Sequence, residues 1–273
     1  MSTVQAGDQE VFWVERGEGV PVVLIHGNWS TSSWWEPTLE RVPPGLRTIA
    51  YDLRGRGQTR GPDSDYTIPS LAADLAAFAD ALKLDRFHVV GHSLGSAVAM
   101  EFALQQPARL RSLVAVAPAW IDGMPRRFHS PEHQRLLAAD RALLGRALKV
   151  LAPACEPGPF WERIVDEGYR QRIEAALLNL DALIAWAPGD RLKTTGVPAV
   201  VLSGDRDVLL GPELPRRVAE ALLARHEILE GVGHCPVIED PERFATTLWR
   251  LLAEMSPLRP APGGVGAGLS PCA

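Results

Sequence analysis

At 273 residues the chain can form one large domain or two small ones, and 46% apolar against 22% charged residues is ordinary globular composition. A formal net charge of -5 argues against the basic surface that nucleic acid or anionic lipid rewards. Cys155, Cys235 and Cys272 are odd in number and widely spaced, so neither a disulfide framework nor a paired-cysteine metal site is legible, which suits a reducing compartment.

The opening "MSTVQAGDQEVF" has neither the basic nor the apolar region of a secretory signal, and no apolar run is long enough to cross a bilayer. Cys272, next to last, does not fit the prenylation signal. The expectation is a soluble, cytoplasmic protein acting on a small molecule, with no nucleic-acid or membrane partner. Nothing in the sequence speaks to oligomeric state.

Strand-like runs then alternate with helical patterns: "PVVLIHG", "LRTIAYD", the helical "IPSLAADLAAFADALKL", "FHVVGHS", the helical "LGSAVAMEFALQQP" and "LRSLVAVAP". Short Val, Ile and Leu runs, apolar on both faces, suit parallel strands covered by helices on each side. Their alternation predicts βαβ units and a doubly wound sheet. Over 119–193 the pattern becomes helical, interrupted at Pro153, Pro157 and Pro159. Leu136, Leu137, Leu143, Leu144, Leu148 and Leu151 recur near helical spacing, as do Ile173, Leu177, Leu180 and Ile184. Alternation resumes with "VPAVVLSGD", a helix over about 212–224, "RHEILEG" and a last helix over about 241–255. A helical insert within one α/β pattern reads as a cap over 119–193, with the core at 1–118 and 194–255. The Pro- and Gly-rich tail, 256–273, reads as disordered.

"FHVVGHSLGSAVAM" sets Ser93 between two glycines where a strand turns into a helix, the geometry that lifts a nucleophile onto a tight turn. A serine hydroxyl needs an imidazole to take its proton, and the imidazole needs an acid to fix its tautomer. Of the seven histidines, His88 falls inside a strand, His92 is the neighbour of Ser93, His226 begins a late strand, and His129 and His133 belong to the cap. His234, in the glycine-rich loop "EGVGHCP" after the last strand, falls at the same sheet edge as Ser93 and is the candidate base. The acid is Asp207 in "SGDRD", with Asp122 in "WIDG" as the competitor, while Asp205 suits the backbone donors of its own turn. The order Ser93, Asp207, His234 is the chain order of the strand–turn–helix hydrolase scaffold. An oxyanion needs two aimed donors: the amide of Leu94 is one and that of Asn28, after Gly27, the other. Trp29 is read as pocket lining and Trp35 as core.

Other motifs carry less. "HSPEH" matches a zinc string, but Ser130 followed by Pro131 reads as a helix cap that leaves His129 outside the helix, so no metal is expected. "GRGQTRG" fails the dinucleotide spacing, no phosphate-binding GxxxxGK loop exists, and no cofactor is expected. Arg126 and Arg127 read as charged cap surface.

Taken together, "HGNWS", "YDLRGRGQT", "GHSLG", "GDRD" and "GHCPVIEDPERF" resemble the α/β-hydrolase family of the Ser-His-Asp type from about residue 11 to 255. The resemblance implies an eight-stranded, mostly parallel sheet flanked by helices, an antiparallel start near "EVFWVERG", and a helical cap inserted after the sixth strand. It also implies Ser93 as nucleophile, Asp207 as acid, His234 as base, and the amides of Asn28 and Leu94 as oxyanion hole. "HGN" also resembles haloalkane dehalogenases. Those enzymes and epoxide hydrolases carry an aspartate where this chain has Ser93, and a serine ether could not be hydrolysed in the same way. The leading expectation is cleavage of a carboxylic ester or lactone through an acyl-enzyme. The alternatives are C–C bond hydrolysis, cyanohydrin cleavage, perhydrolysis or cofactor-free oxygenation on the same triad, and a non-catalytic ligand-binding module.

Overall fold

A computed structural model describes residues 2–255; the tail expectation for 256–273 lies outside the described residues. Eight strands form one sheet: β1 (Ser2–Ala6), β2 (Gln9–Arg16), β3 (Gly19–Ile25), β4 (Gly45–Tyr51), β5 (Phe87–His92), β6 (Leu110–Val116), β7 (Ala199–Gly204) and β8 (Arg225–Leu229). Their spatial order is β1-β2-β4-β3-β5-β6-β7-β8. β1, β2 and β4 pair antiparallel, and every pairing from β4 through β8 is parallel. β1 escaped the sequence reading because "STVQA" is a largely exposed edge strand with no apolar run to announce it.

The helices are α1 (Glu36–Leu39), α2 (Ile68–Ala81), α3 (Leu94–Gln105), α4 (Pro131–Ala139), α5 (Arg141–Leu151), α6 (Pro159–Tyr169), α7 (Ile173–Ala185), α8 (Glu213–Leu222), α9 (Pro236–Glu239) and α10 (Pro241–Met255). Side chains alternate across a strand, so one sheet feeds two cores. Val23 and Ile25 of β3 join α2, α3 and α8 on one face. Val22 and Leu24 join Trp34, Trp35, Leu39 and the Phe244, Leu248 and Leu252 stripe of α10 on the other. α3 is buried from Leu94 through Ala103, and its Gly95, Ser96, Ala97 and Ala99 let it lie close against the strands.

α4 to α7 lie between β6 and β7 and contribute to both cores. Their packing departs from the sequence pattern in two places. Leu136 is exposed, while Leu137, Leu144 and Leu148 are buried. On α7 the buried face is Ala175, Ala176, Asn179, Ala182 and Leu183, with Ile173, Leu177, Leu180 and Ile184 flanking it. Large residues mark an apolar stripe in a sequence, but here small ones face inward because the helix lies tight on a loop: a Cβ at Gly55 would sit 3.0 Å from the Ala175 methyl.

The topology fixes where chemistry can occur. From β3 the chain moves outward to β4, then returns across β3 to form β5 on its other side. The carboxyl ends of β3 and β5, with Ile25 paired to Gly91, are therefore a switch point whose departing loops diverge and leave a crevice. Ser93 and the Gly27–Asn28 loop both leave the sheet there.

Candidate active site

Ser93 sits between β5 and α3 with φ 52° and ψ −117°, a sparsely populated conformation for a side-chain-bearing residue. Its amide is pinned to the Val116 carbonyl of β6 at 3.0 Å. The flanking glycines are compulsory. A Cβ at Gly91 would lie 2.2 Å from the Gly95 carbonyl oxygen, and one at Gly95 would lie 2.3 Å from that of Ile25. Strand, turn and helix are thus wedged together, and the turn carries the serine hydroxyl toward the crevice.

Ser93 Oγ stands 3.0 Å from His234 Nε2, and His234 Nδ1 stands 2.8 Å from Asp207 Oδ2. Asp207 and His234 are buried. The amides of Leu209 and Leu210 donate to the other Asp207 oxygen at 2.9 and 3.1 Å. Burial works to raise the Asp207 carboxyl, but the neighbouring imidazole and those two amides outweigh it and hold the group below its ordinary value. The carboxylate is thereby kept charged opposite Nδ1, which leaves Nε2 free to accept the serine proton.

Asp122, the competing acid, is exposed and paired with Arg217 at 3.1 Å, and it is Asp207 that meets His234. Asp205 accepts from the Gly231 amide at 2.5 Å, as its turn predicted. His92 turns away from the Ser93 hydroxyl, and its Nε2–H donates to the His234 carbonyl at 2.8 Å. Burial lowers its pKa to about 3, so it stays neutral and serves as a fixed donor. In "HSPEH" the Ser130 hydroxyl caps α4, and His129 pairs with Asp181 at 3.1 Å. Among the described residues no three His, Cys, Asp or Glu side chains converge on a metal position.

The His234 loop is held from several sides. The buried Glu239 carboxylate accepts from the amides of Gly233, at 2.8 Å, Cys235, at 2.9 Å, and Ala154, at 3.0 Å. The His234 amide donates to Leu151 O of α5 at 2.8 Å. This clamp went unread in the sequence, where Glu239 is one acid among many.

Asn28 follows Gly27, whose added Cβ would come within 3.3 Å of the Ser93 Cβ. Among the described residues no acceptor takes the amide of Asn28 or of Leu94, so both donors next to Ser93 are unspent. His26 fixes this loop at its root: Nδ1–H donates to Gly27 O at 2.8 Å, and Nε2 accepts from the Leu53 amide at 3.0 Å. The triad opens into a cavity of about 180 Å³ lined by Trp29, Trp120, Met124, Phe128, Leu148, Leu180 and Leu183, among others. Trp29 is set by its indole N–H, which donates to Gln134 at 3.0 Å. Trp35 is core, packed on Phe244. A larger cavity of about 630 Å³, between β2, α1 and the end of α6, contains neither Ser93 nor His234.

An eight-stranded, mostly parallel sheet with a serine, an imidazole and a carboxylate in line at its switch point defines an α/β-hydrolase. The family model described as "Alpha/beta hydrolase family" matches residues 22–247, and the chain belongs to that family and is a hydrolase. The "Putative carbamate hydrolase RutD" of Rhizobium rhizogenes is 31% identical over 265 residues, covering 92% of this chain and 99% of that one. An esterase from Exiguobacterium antarcticum superimposes with a TM-score of 0.81 at 21% identity, covering 92% of this chain and 98% of its own. The enol-lactonase from Burkholderia xenovorans gives 0.77 at 24% identity, covering 92% and 99%. Among the described residues no helix is long and apolar enough to cross a membrane.

Proposed function

We propose that the chain cleaves a small, neutral carboxylic ester or lactone through a covalent acyl-enzyme. The observation that carries this reading is the continuous line from the Asp207 carboxylate through His234 to the Ser93 hydroxyl, at 2.8 and 3.0 Å, opening into an apolar cavity. Ser93 Oγ attacks the carbonyl carbon while its proton passes to His234 Nε2, and Asp207 stabilises the imidazolium. The oxyanion lies between the amides of Asn28 and Leu94, which are fixed before the charge develops. His234 returns the proton to the leaving alcohol, then activates a water that releases the acid. The helices over 119–193 act as a cap that supplies the cavity wall and excludes bulk water, and Trp29 lines the acyl site.

Two features of the cavity narrow the substrate. Among the described residues no Lys, Arg, Asp or Glu lines it, so a charged acyl group finds no partner there. Its volume, about 180 Å³, is below the roughly 300–1,000 Å³ of pockets for drug-sized ligands, which favours short acyl chains. A second reading, C–N cleavage of a carbamate, is favoured by the name of the RutD relative. It uses the same steps, with His234 protonating a leaving nitrogen.

Wild type and Ser93→Ala should be compared on aryl esters of increasing acyl length, on lactones and on aryl carbamates. The expected result is the highest kcat/KM for short neutral esters or lactones and none above background for Ser93→Ala. Turnover confined to carbamates would replace this reading with the second. Wild type no faster than Ser93→Ala on every substrate would end both.

A further inference from the structure

Two arginines of the loop after β4 are buried, and they are treated differently. The Arg54 guanidinium is matched in the usual way, with Asp74 at 2.9 and 2.7 Å and Asp8 at 3.4 Å. Arg56, two residues on, is 1% exposed and has no carboxylate within salt-bridge distance among the described residues. Its Nη2 donates to Asn28 Oδ1, its Nη1 to Gln171 Oε1 at 2.8 Å, and its Nε–H is buried without a partner among the described residues. An unmatched cation in a protein interior is costly, and burial works against its charge. A purely structural arginine would be expected to have the kind of partner that Arg54 has.

The surroundings of Arg56 converge on one residue. Asn28 Oδ1 also receives Asn179 Nδ2 at 3.4 Å, and Asn28 Nδ2 donates to Ala176 O at 3.2 Å, both from the small-residue face of α7. Gln171 Nε2 donates to Ser30 O at 3.1 Å, so the same glutamine that holds Arg56 also holds the Asn28–Ser30 loop. Every polar atom of the Asn28 side chain is therefore engaged, while its backbone N–H, in the loop beside Ser93, has no acceptor among the described residues. Arg56 itself does not line the cavity.

We propose that Arg56 is a positioning residue for the oxyanion site. Its guanidinium fixes the Asn28 side chain so that the Asn28 amide faces the reacting carbonyl, and its unmatched charge favours the negative charge that develops on the carbonyl oxygen. The charge lacks a permanent counter-ion because its counter-charge arises only in the transition state, which places the benefit in kcat rather than in substrate affinity. This rests on the acyl-transfer reading above.

The test uses the full-length protein with two neutral probes, a short-chain aryl acetate for turnover and an alkyl aryl phosphonate for the rate of covalent inactivation. Arg56→Met should lower kcat about 10- to 100-fold with KM within about twofold, and should slow inactivation by a similar factor. Arg56→Lys, which keeps the charge but loses the fork, should recover part of both. Asn28→Ala, which keeps the backbone amide but removes the grip, should lose a comparable factor. Adding Arg56→Met to Asn28→Ala should then cost little more, since the two act as a unit. Unchanged kcat in Arg56→Met, fully additive losses, or a loss that appears only as a raised KM for the aryl acetate would overturn the proposal. If Arg56→Met fails to fold, Arg56→Lys and Asn28→Ala carry the test, and full activity in Asn28→Ala would overturn it. Wild type inert to both probes would instead refute the acyl-transfer reading itself.

Discussion

Three buried histidines make the fold sensitive to mild acid, and the size of the effect follows from their surroundings. Burial lowers His26 and His92 to about 3 and His88 to about 4. An unfolded histidine titrates near 6.5, so below that pH the unfolded chain binds protons that the folded chain refuses. Stability is therefore complete above about 6.5 and declines as the pH falls toward 4. At roughly 1.36 kcal/mol per pH unit and per group, each histidine costs about 2 kcal/mol at pH 5, or about 6 kcal/mol for the three. His226, half-buried and also lowered, adds less. Asp52 works in the opposite direction, because burial raises its carboxyl and the folded chain gains a proton there as the pH falls. Asp207, held below its ordinary value, contributes stability that is lost only below about pH 4, outside this window. Urea unfolding followed by tryptophan fluorescence at pH 7.5 and 5.0 measures the difference. With a slope near 3 kcal/mol/M, the midpoint should fall by about 2 M with no change in slope. A midpoint at pH 5.0 within about 0.3 M of that at pH 7.5 would refute the reasoning. Protonating the His26 ring in place would cost it the bond it accepts from the Leu53 amide at the root of the Gly27–Asn28 loop, so it takes up its proton only when the chain unfolds.

Asp207→Asn should lower kcat on an aryl ester by about 10²- to 10⁴-fold with the fold intact, since it loses the charge opposite Nδ1 and misdirects the tautomer. Asp122→Asn, which breaks only an exposed pair with Arg217, should leave kcat unchanged and stability within about 0.5 kcal/mol, as steady-state kinetics and thermal unfolding will report. Gly91→Ala forces a methyl to 2.2 Å from a backbone carbonyl, and neither the Gly95 turn nor the strand can yield. It should destabilise by about 4 kcal/mol or more, or prevent accumulation of folded protein, measured by urea unfolding.

The fold was legible wherever one segment carried its own signal. "PVVLI", "FHVVGH" and "LVAV" are apolar on both faces because helices cover both sides of their strands, whereas β1 is an edge strand with little to bury and reads as a polar leader. Ser93 and His234 were legible because their demands are local: glycines at a wedge and a glycine-rich loop after a final strand. The choice between Asp207 and Asp122 was not local. Both follow strands at the same sheet edge, and only the side-chain contacts separate them. The support of the Asn28 loop was hidden for the same reason, since Arg56 meets Gln171 across 115 residues and Asn28 meets Asn179 across 151. Asn179 lay masked within a run of leucines, because a helix facing a tight loop buries its small residues and leaves its large ones at the flanks.

The central claim is that His234 activates the Ser93 hydroxyl as a nucleophile toward acyl-type centres. Intact-mass spectrometry after brief exposure to an alkyl aryl phosphonate, followed by peptide mapping, tests it directly in wild type, Ser93→Ala and His234→Ala. The expected result is one adduct on Ser93 in wild type, none in Ser93→Ala, and labelling slowed by about 10³-fold or more in His234→Ala. Adduct on another residue, or equal labelling rates in wild type and His234→Ala, would contradict it.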